Sequence, residues 1–344
     1  MKKVQNGMHI YEYVAYSAVL LAVMLICICV GSVDVALSDT LTVIWNSVWG
    51  LSIPDSITTT AIIWSVRLPR VLCVAFTGAA LSLSGAVMQG LLKNPLADGS
   101  TLGVSSGASL GAIIAIAFGI IIPSLPFAGS TILAVLFAFA SLVIILVLSY
   151  KLDYSLSTGT IILIGVIFSM FVSSIVSLVV TFASDKVKAI MFWTMGSLQG
   201  STYADALLLL VTTIVFGGIL MTLGNELNAL AIGEDNARNV GVNVKRVKLI
   251  VMICVSVLIG VCVSVGGTIG FVGLVTPHMV RLIAGPNHRR LLPASVFAGA
   301  VFLMLADLVA RVVLKPVELP IGVVTSLIGA VVFVIIFYRS KKVC

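Results

Sequence analysis

RLPRVLCVAFTGAALSLSGAVMQGLLKNPLADGSTLGVSSGASLG, residues Arg67 to Gly111, decides the fold. Arg67 and Arg70 precede a run of Gly, Ala, Ser and aliphatic residues that ends at Asn94-Pro95. Roughly 20 mainly apolar residues span a bilayer core as a helix, and a proline, lacking its N–H, interrupts one. The stretch therefore predicts a membrane helix, a break, and a second small-residue helix from about residue 101.

Working outward, the whole chain has this character. Of 344 residues, 60% are hydrophobic and 10% charged, with a mean hydropathy of +1.22. A water-soluble domain carries about a quarter charged residues. Hydrocarbon offers backbone groups no water, so the long apolar runs must be helices, and the fold class is an all-α polytopic membrane protein. Runs bounded by charges, Pro or polar clusters predict ten spans, near 12–32, 66–91, 101–121, 130–150, 160–182, 205–224, 248–266, 270–283, 294–314 and 321–338. The eighth is too short for a core of about 30 Å and is expected to be a half-helix, and Asn94-Pro95 and Thr276-Pro277 are expected to be irregular breaks at membrane depth. The chain reads as a single transmembrane domain over 1–344, since no soluble segment is long enough to bury its own core. The longest outer loop, roughly Ser32 to Ile63, is polar but modest.

Cationic side chains are retained on the cytoplasmic side. With the N-terminus inside, fourteen of the 20 Lys and Arg fall on inner segments: Lys2, Lys3, Lys93, Lys151, Arg238, Lys245, Arg246, Lys248, Arg281, Arg289, Arg290, Arg339, Lys341 and Lys342. Both termini are therefore expected to be cytoplasmic. The net charge of +7 follows from this bias and from anionic lipid, so no nucleic acid is needed to explain it. The apolar run after MKK lacks a small-x-small cleavage pattern and reads as a retained anchor.

Cys27, Cys29, Cys73, Cys254 and Cys262 lie inside apolar runs, where Cys acts as a small hydrophobe, and Cys344 ends the chain. His9, His278 and His288 share no ligand spacing, so neither a metal nor another cofactor is expected. Ser82, Gly85 and Pro95 recur at identical spacing as Ser264, Gly267 and Pro277, on spans entering the membrane in opposite senses. That suggests an inverted internal repeat, although Gly and Ser are abundant enough for coincidence. Gly78, Gly85, Gly90, Gly103, Gly107 and Gly111 predict close helix contact, some of them with a second possibility of lining a wide passage.

Two charged regions stand out. Arg67 and Arg70 sit at the outer end of the second span, against the topology bias, and the nearest acidic residue upstream is Asp55. With no internal partner expected for this pair, they either snorkel to headgroups or form a docking patch for an acidic external protein. Arg311 lies at the outer end of the ninth span with Asp307 one turn earlier, spaced to pair. The largest cytoplasmic loop, about 225–247, predicts a short helix over Ile232 to Asn239 ended by Gly241. It is either a solvated loop or a projecting helix that seats in another protein.

At these residues the chain resembles a family. RLPR with GAALSLSGAVMQGLLKNPLADGSTLGVSSGA, ALAIGEDNARNVGV, GFVGLVTPHMVRLIAGPNHRRLLPASVFAGA and ADLVARVVLKPVELPIGVVTSLIGA stand in the order of FecCD-type permeases. Those permeases serve bacterial ABC importers for iron-siderophores, haem and vitamin B12. The resemblance implies a type II importer fold in the bacterial cytoplasmic membrane. It further implies two permease copies, commonly a homodimer, with two cytoplasmic ABC ATPase subunits and an external substrate-binding protein as partners. It assigns binding-protein docking to Arg67, Arg70 and Arg311, and ATPase coupling to Ile232, Gly233, Glu234, Asp235, Ala237, Arg238 and Gly241. A cytoplasmic gate maps to Asn94, Leu96 and Thr158, with Gly159 where relatives carry a second hydroxyl. Passage lining maps to Met170, Ser173, Ser174 and Ser177, a mostly apolar wall over which a large solute can slide.

The phosphate-binding pattern G-x-x-x-x-G-K-[ST] is absent from the sequence, so the chain is not expected to be an enzyme, and ATP hydrolysis is expected in a partner. Iron-siderophore is the expected solute. Haem, vitamin B12, or a secondary transporter without ATPases remain alternatives.

Overall fold

Each predicted apolar run becomes a helix, with no strand among the described residues, which in this computed structural model are 7–31, 35, 37–49, 60–120, 128–154 and 157–341. Lys2, Lys3, Asp55, Lys342 and Cys344, and the side chains of Arg339 and Lys341, lie outside that set. In chain order the helices are α1 (Ile10–Cys29), α2 (Leu37–Trp49), α3 (Leu68–Leu91), α4 (Val104–Ala117), α5 (Ala128–Leu152), α6 (Thr158–Phe182) and α7 (Val187–Thr194). They continue with α8 (Tyr203–Thr222), α9 (Gly224–Ile232), α10 (Glu234–Asn239), α11 (Val244–Gly266), α12 (Val272–Ala284), α13 (His288–Val312) and α14 (Ile321–Lys341). A wide helical turn over Ile62–Arg67 leads into α3.

Among the described residues seven helices are long and apolar enough to cross a membrane: α1, α3 with its leading turn, α5, α6, α8, α11 and α13. The shorter apolar helices α4, α12 and α14 coincide with the predicted third, eighth and tenth spans, so seven of the ten predicted spans meet the length and composition of a crossing. The expected half-helix is α12, whose 13 residues rise only about 20 Å. Helices α2 and α7 lie in segments to which the apolar pattern assigns no span.

The architecture is organised around α3, which packs against α13, α12, α8 and α11, while α4 and α5 form a second closely packed pair bridged to it by α11. Small residues dictate this arrangement, because helices in lipid associate through close packing rather than hydrophobic drive. A Cβ on Gly78 would overlap the carbonyl of Gly299, and one on Gly85 would overlap the carbonyl of Gly273. Gly111 presses in the same way on the carbonyl of Leu133. Ser82 and Thr276 pair their hydroxyls across α3 and α12 at 2.7 Å.

One sequence expectation needs correction here. Thr276-Pro277 does not break the chain, because α12 runs through it, and the irregular segment lies upstream, where Gly267 and Phe271 take φ of 68° and 66°. Pro277 cannot donate to the carbonyl of Gly273, four residues back. Gln89 Nε2 from α3 supplies that donor, at 3.4 Å to Gly273 O and 3.1 Å to Leu274 O. Of the three positions of the apparent repeat, Ser82 and Ser264 are both helical, whereas Gly85 is mid-helix and Gly267 ends one, and Pro95 sits in a turn and Pro277 in a helix.

Candidate functional site: the two poles of the bundle

Helix α13 carries His288 at one end and Arg311 at the other, and every charged cluster relevant to function gathers near one of these ends. At the Arg311 pole, the wide turn leading into α3 and the first turn of α3 bring Arg67 and Arg70 to the end of α1. All three arginines are buried, at 4%, 6% and 2% exposure for Arg67, Arg70 and Arg311. Arg67 Nη1 donates to the carbonyls of Ile28 and Cys29, both at 2.8 Å. Arg311 Nη1 donates to those of Cys27 and Val30, both at 3.1 Å. The C-terminal carbonyls of a helix have no intrahelical partner, and these two cations satisfy those of α1.

Arg70 donates through Nε and Nη2 to Asp307 Oδ1, at 3.1 and 2.8 Å, and through Nη1 to Glu318 Oε2 at 2.6 Å. Asp307 turns its other oxygen to Arg311 Nε at 2.9 Å, forming the expected i, i+4 pair. The expectation that the outer arginines lack internal partners is thus overturned. Charges at membrane depth are tolerated when paired, and Asp307, 1% exposed, bridges two of them. A cavity of about 180 Å³ borders all three arginines and Glu318.

The opposite pole is open. The loop after α8 folds as α9, a break at Gly233 with φ of 154°, then the six-residue α10, and a turn at Gly241 with φ of 89°. The single helix expected over Ile232 to Asn239 is therefore two pieces. A side chain at either glycine would be strained, so the elbow depends on both. Ala237 is buried and anchors α10, while Ile232 and Val240 are 76% and 73% exposed and Asp235, Asn236, Arg238 and Asn239 project into solvent. Arg238 pairs with Asp235 and Glu234 at 3.4 and 3.8 Å, exposed contacts of little stabilising value.

Beneath this elbow lies a feature the sequence did not disclose. Lys248, read as one more cytoplasmic cation, is 1% exposed and holds Glu234 Oε1 at 2.7 Å. The elbow is thereby tied to the first turn of α11, whose N-terminus Asn243 caps by accepting from Arg246 N at 3.0 Å. His288, which has no ligand partner in sequence, has a structural role. Asn228 Oδ1 on α9 accepts from its backbone N at 2.8 Å and lies 2.9 Å from its Nδ1. Asn228 Nδ2 in turn donates to Asn287 Oδ1 at 2.8 Å. The imidazole fills the space over Gly90, where a Cβ would overlap Nε2, so α9 is fastened to both α13 and α3. Glu12 and Arg290 form an ion pair that joins the start of α1 to the same end.

The residues assigned to the gate lie in two separate turns. Asn94 Oδ1 accepts from Leu96 N at 2.9 Å, closing the turn after α3 and leaving Leu96 exposed. Thr158 opens α6, capped by Ser157, with Asp153 Oδ2 accepting from Ser157 N at 3.0 Å. A Cβ at Gly159 would meet nothing within 4 Å, so packing does not forbid a side chain there. Met170, Ser173, Ser174 and Ser177 share an exposed face of α6. Ser174 donates to Met170 O at 3.1 Å and Ser177 to Ser173 O at 3.0 Å, so these hydroxyls spend their protons on their own helix.

Comparison with known proteins agrees with this arrangement. The model of the FecCD transport family matches residues 19–339. The ABC transporter permease protein YvrB of Bacillus subtilis, itself uncharacterised, is 41% identical over 341 residues, covering 99% of this chain and 96% of its own. The cobalamin import system permease protein BtuC of Halobacterium salinarum is 37% identical, covering 88% and 79%. The molybdate import system permease protein MolB of Haemophilus influenzae is 37% identical, covering 82% of each. A solved structure described as an inward-facing conformation of an ABC transporter assigned to the metal-chelate type superposes with a TM-score of 0.83 at 32% identity, covering 96% of this chain and 100% of its own.

Proposed function

The chain belongs to the FecCD transport family, and on that premise we propose that it passes a ferric-siderophore complex across the bacterial cytoplasmic membrane. It is an integral membrane permease of the ABC importer type. In the proposed assembly two copies, as a homodimer with cytoplasmic termini, enclose the passage. ATPase subunits seat on the α9–α10 elbow, and an external binding protein delivers the solute at the arginine pole.

The observation that carries the reading is the exposed elbow fixed to two spans. An external push on Asp235 to Asn239 reaches α11 through Glu234 and Lys248, and reaches α13 through Asn228 and His288. ATP binding in the partner subunits supplies that push, since this chain has no phosphate-binding loop. Helices at the dimer interface then tilt, and solute released outside moves inward. Asn94, Leu96 and Thr158 close the inner end of the proposed passage, and Met170, Ser173, Ser174 and Ser177 line it.

The α6 face also bears on the solute. It has no Lys or Arg between Thr158 and Phe182, and the Ser174 and Ser177 hydroxyls donate to their own helix, which suits a bulky chelate better than a bare oxyanion. The resemblance to cobalamin permeases favours a corrinoid as the second reading. Uptake by proteoliposomes holding the permease, its ATPases and its binding protein separates the two. ATP-dependent accumulation of radio-iron as a siderophore complex, competed by unlabelled complex, is expected. Accumulation of cyanocobalamin instead, with no iron uptake, overturns the siderophore assignment.

A further inference from the structure

The arginine pole holds a donor that awaits an acceptor. Arg311 Nη2 is buried and has no hydrogen-bond partner, although Nη1 of the same side chain is fully committed to Cys27 and Val30. A buried N–H on a cation is costly to leave unmatched, and the Arg311 side chain borders the cavity of about 180 Å³ together with Arg70 and Glu318.

The two acids here differ in how firmly they are held. Asp307 is enclosed, with one oxygen on two nitrogens of Arg70 and the other on Arg311. Glu318 reaches Arg70 Nη1 from the connection between α13 and α14, just after the exposed stretch Val313 to Val317, and its side chain is 15% exposed. A carboxylate therefore already fits Arg70 at the accessible side of the cavity. Exchanging it for another carboxylate would leave the buried charge balance unchanged, whereas a phosphate would add negative charge.

We propose that Glu318 is a placeholder, holding Arg70 Nη1 until a carboxylate side chain of the docked external protein takes over that nitrogen and provides the acceptor for Arg311 Nη2. This rests on the docking reading given above. Docking is then an exchange of acids: Glu318 swings outward with its loop as the incoming residue enters, and the arginines stay in place.

The test measures binding of the external protein of the same transport system to the complete permease–ATPase complex in nanodiscs, by biolayer interferometry. Glu318→Gln, which keeps the shape and removes the competing charge, is expected to tighten binding about three- to tenfold. Asp185→Asn, which removes an equally negative but exposed charge outside the cavity, is expected to stay within about twofold, as rim charges do. Elution of each variant as an intact complex confirms the fold. Glu318→Gln binding no tighter than Asp185→Asn overturns the proposal. So does a gain that vanishes when phosphatidylglycerol is left out of the nanodiscs, which would identify the occupant as lipid phosphate. A different failure, wild-type binding unchanged on reversing Arg67 and Arg70 to Glu, would remove the docking reading itself.

Discussion

The two poles of this bundle use charge in opposite ways. At the Arg311 pole, three cations and two acids face inward, bound to helix-end carbonyls and to each other. At the His288 pole, the Glu234–Lys248 pair supports an elbow whose other α10 charges, Asp235 and Arg238, face solvent. The comparison shows that a cluster of surface-looking charges in sequence can be structural at one end of a membrane protein and available for contact at the other. What separates them is whether a helix end nearby needs capping. At the Arg311 pole α1 stops with its carbonyls unmet, and arginines fill the need.

Substitutions at the two poles should therefore separate stability from activity. The largest loss is expected from Asp307→Ala, which strips the shared counter-ion from Arg70 and Arg311; breaking such a buried pair costs about 3–5 kcal/mol. Fluorescence-detected size exclusion after detergent extraction should show little intact protein, and a normal yield would mean that the inner charges are not structural. Arg67→Met should cost about 1.5–3 kcal/mol through lost charged hydrogen bonds to Ile28 and Cys29, read as a lowered Tm that added salt barely changes. At the other pole, Glu234→Gln keeps a hydrogen-bond acceptor for Lys248, so a loss of roughly 1–2 kcal/mol is expected. Its clearer sign is more ATP hydrolysed per solute imported. Least of all, Arg238→Ala should shift stability by under about 0.5 kcal/mol, yet weaken association with the ATPases in a pull-down. If it instead lowers Tm as much as Arg67→Met, the contrast between the poles fails.

Much of this arrangement was legible in sequence because its causes are local. Apolar length identifies the spans, the shortness of residues 270–283 identifies the half-helix, and i, i+4 spacing gives the Asp307–Arg311 pair. The rest depends on residues far apart along the chain. Nothing near Arg70 signals that Asp307, 237 positions later, will meet it, and nothing near Lys248 distinguishes it from exposed neighbours such as Arg246. The Pro277 reading failed for the same reason: proline marks a missing donor locally, but the donor that rescues the helix comes from Gln89, on another span. Helices α2 and α7 lack the apolar length that reveals the others.

That rescue limits how the protein can move. If α3 slid past α12 by even one residue, the Gly273 carbonyl would lose Gln89 and be left between packed helices with no proton to accept. The two helices, jammed together at Gly85 and Gly273, must travel as a single slab. Any bending in the proposed transport cycle would then fall to the seam beside them, the non-helical run from Thr268 to Phe271.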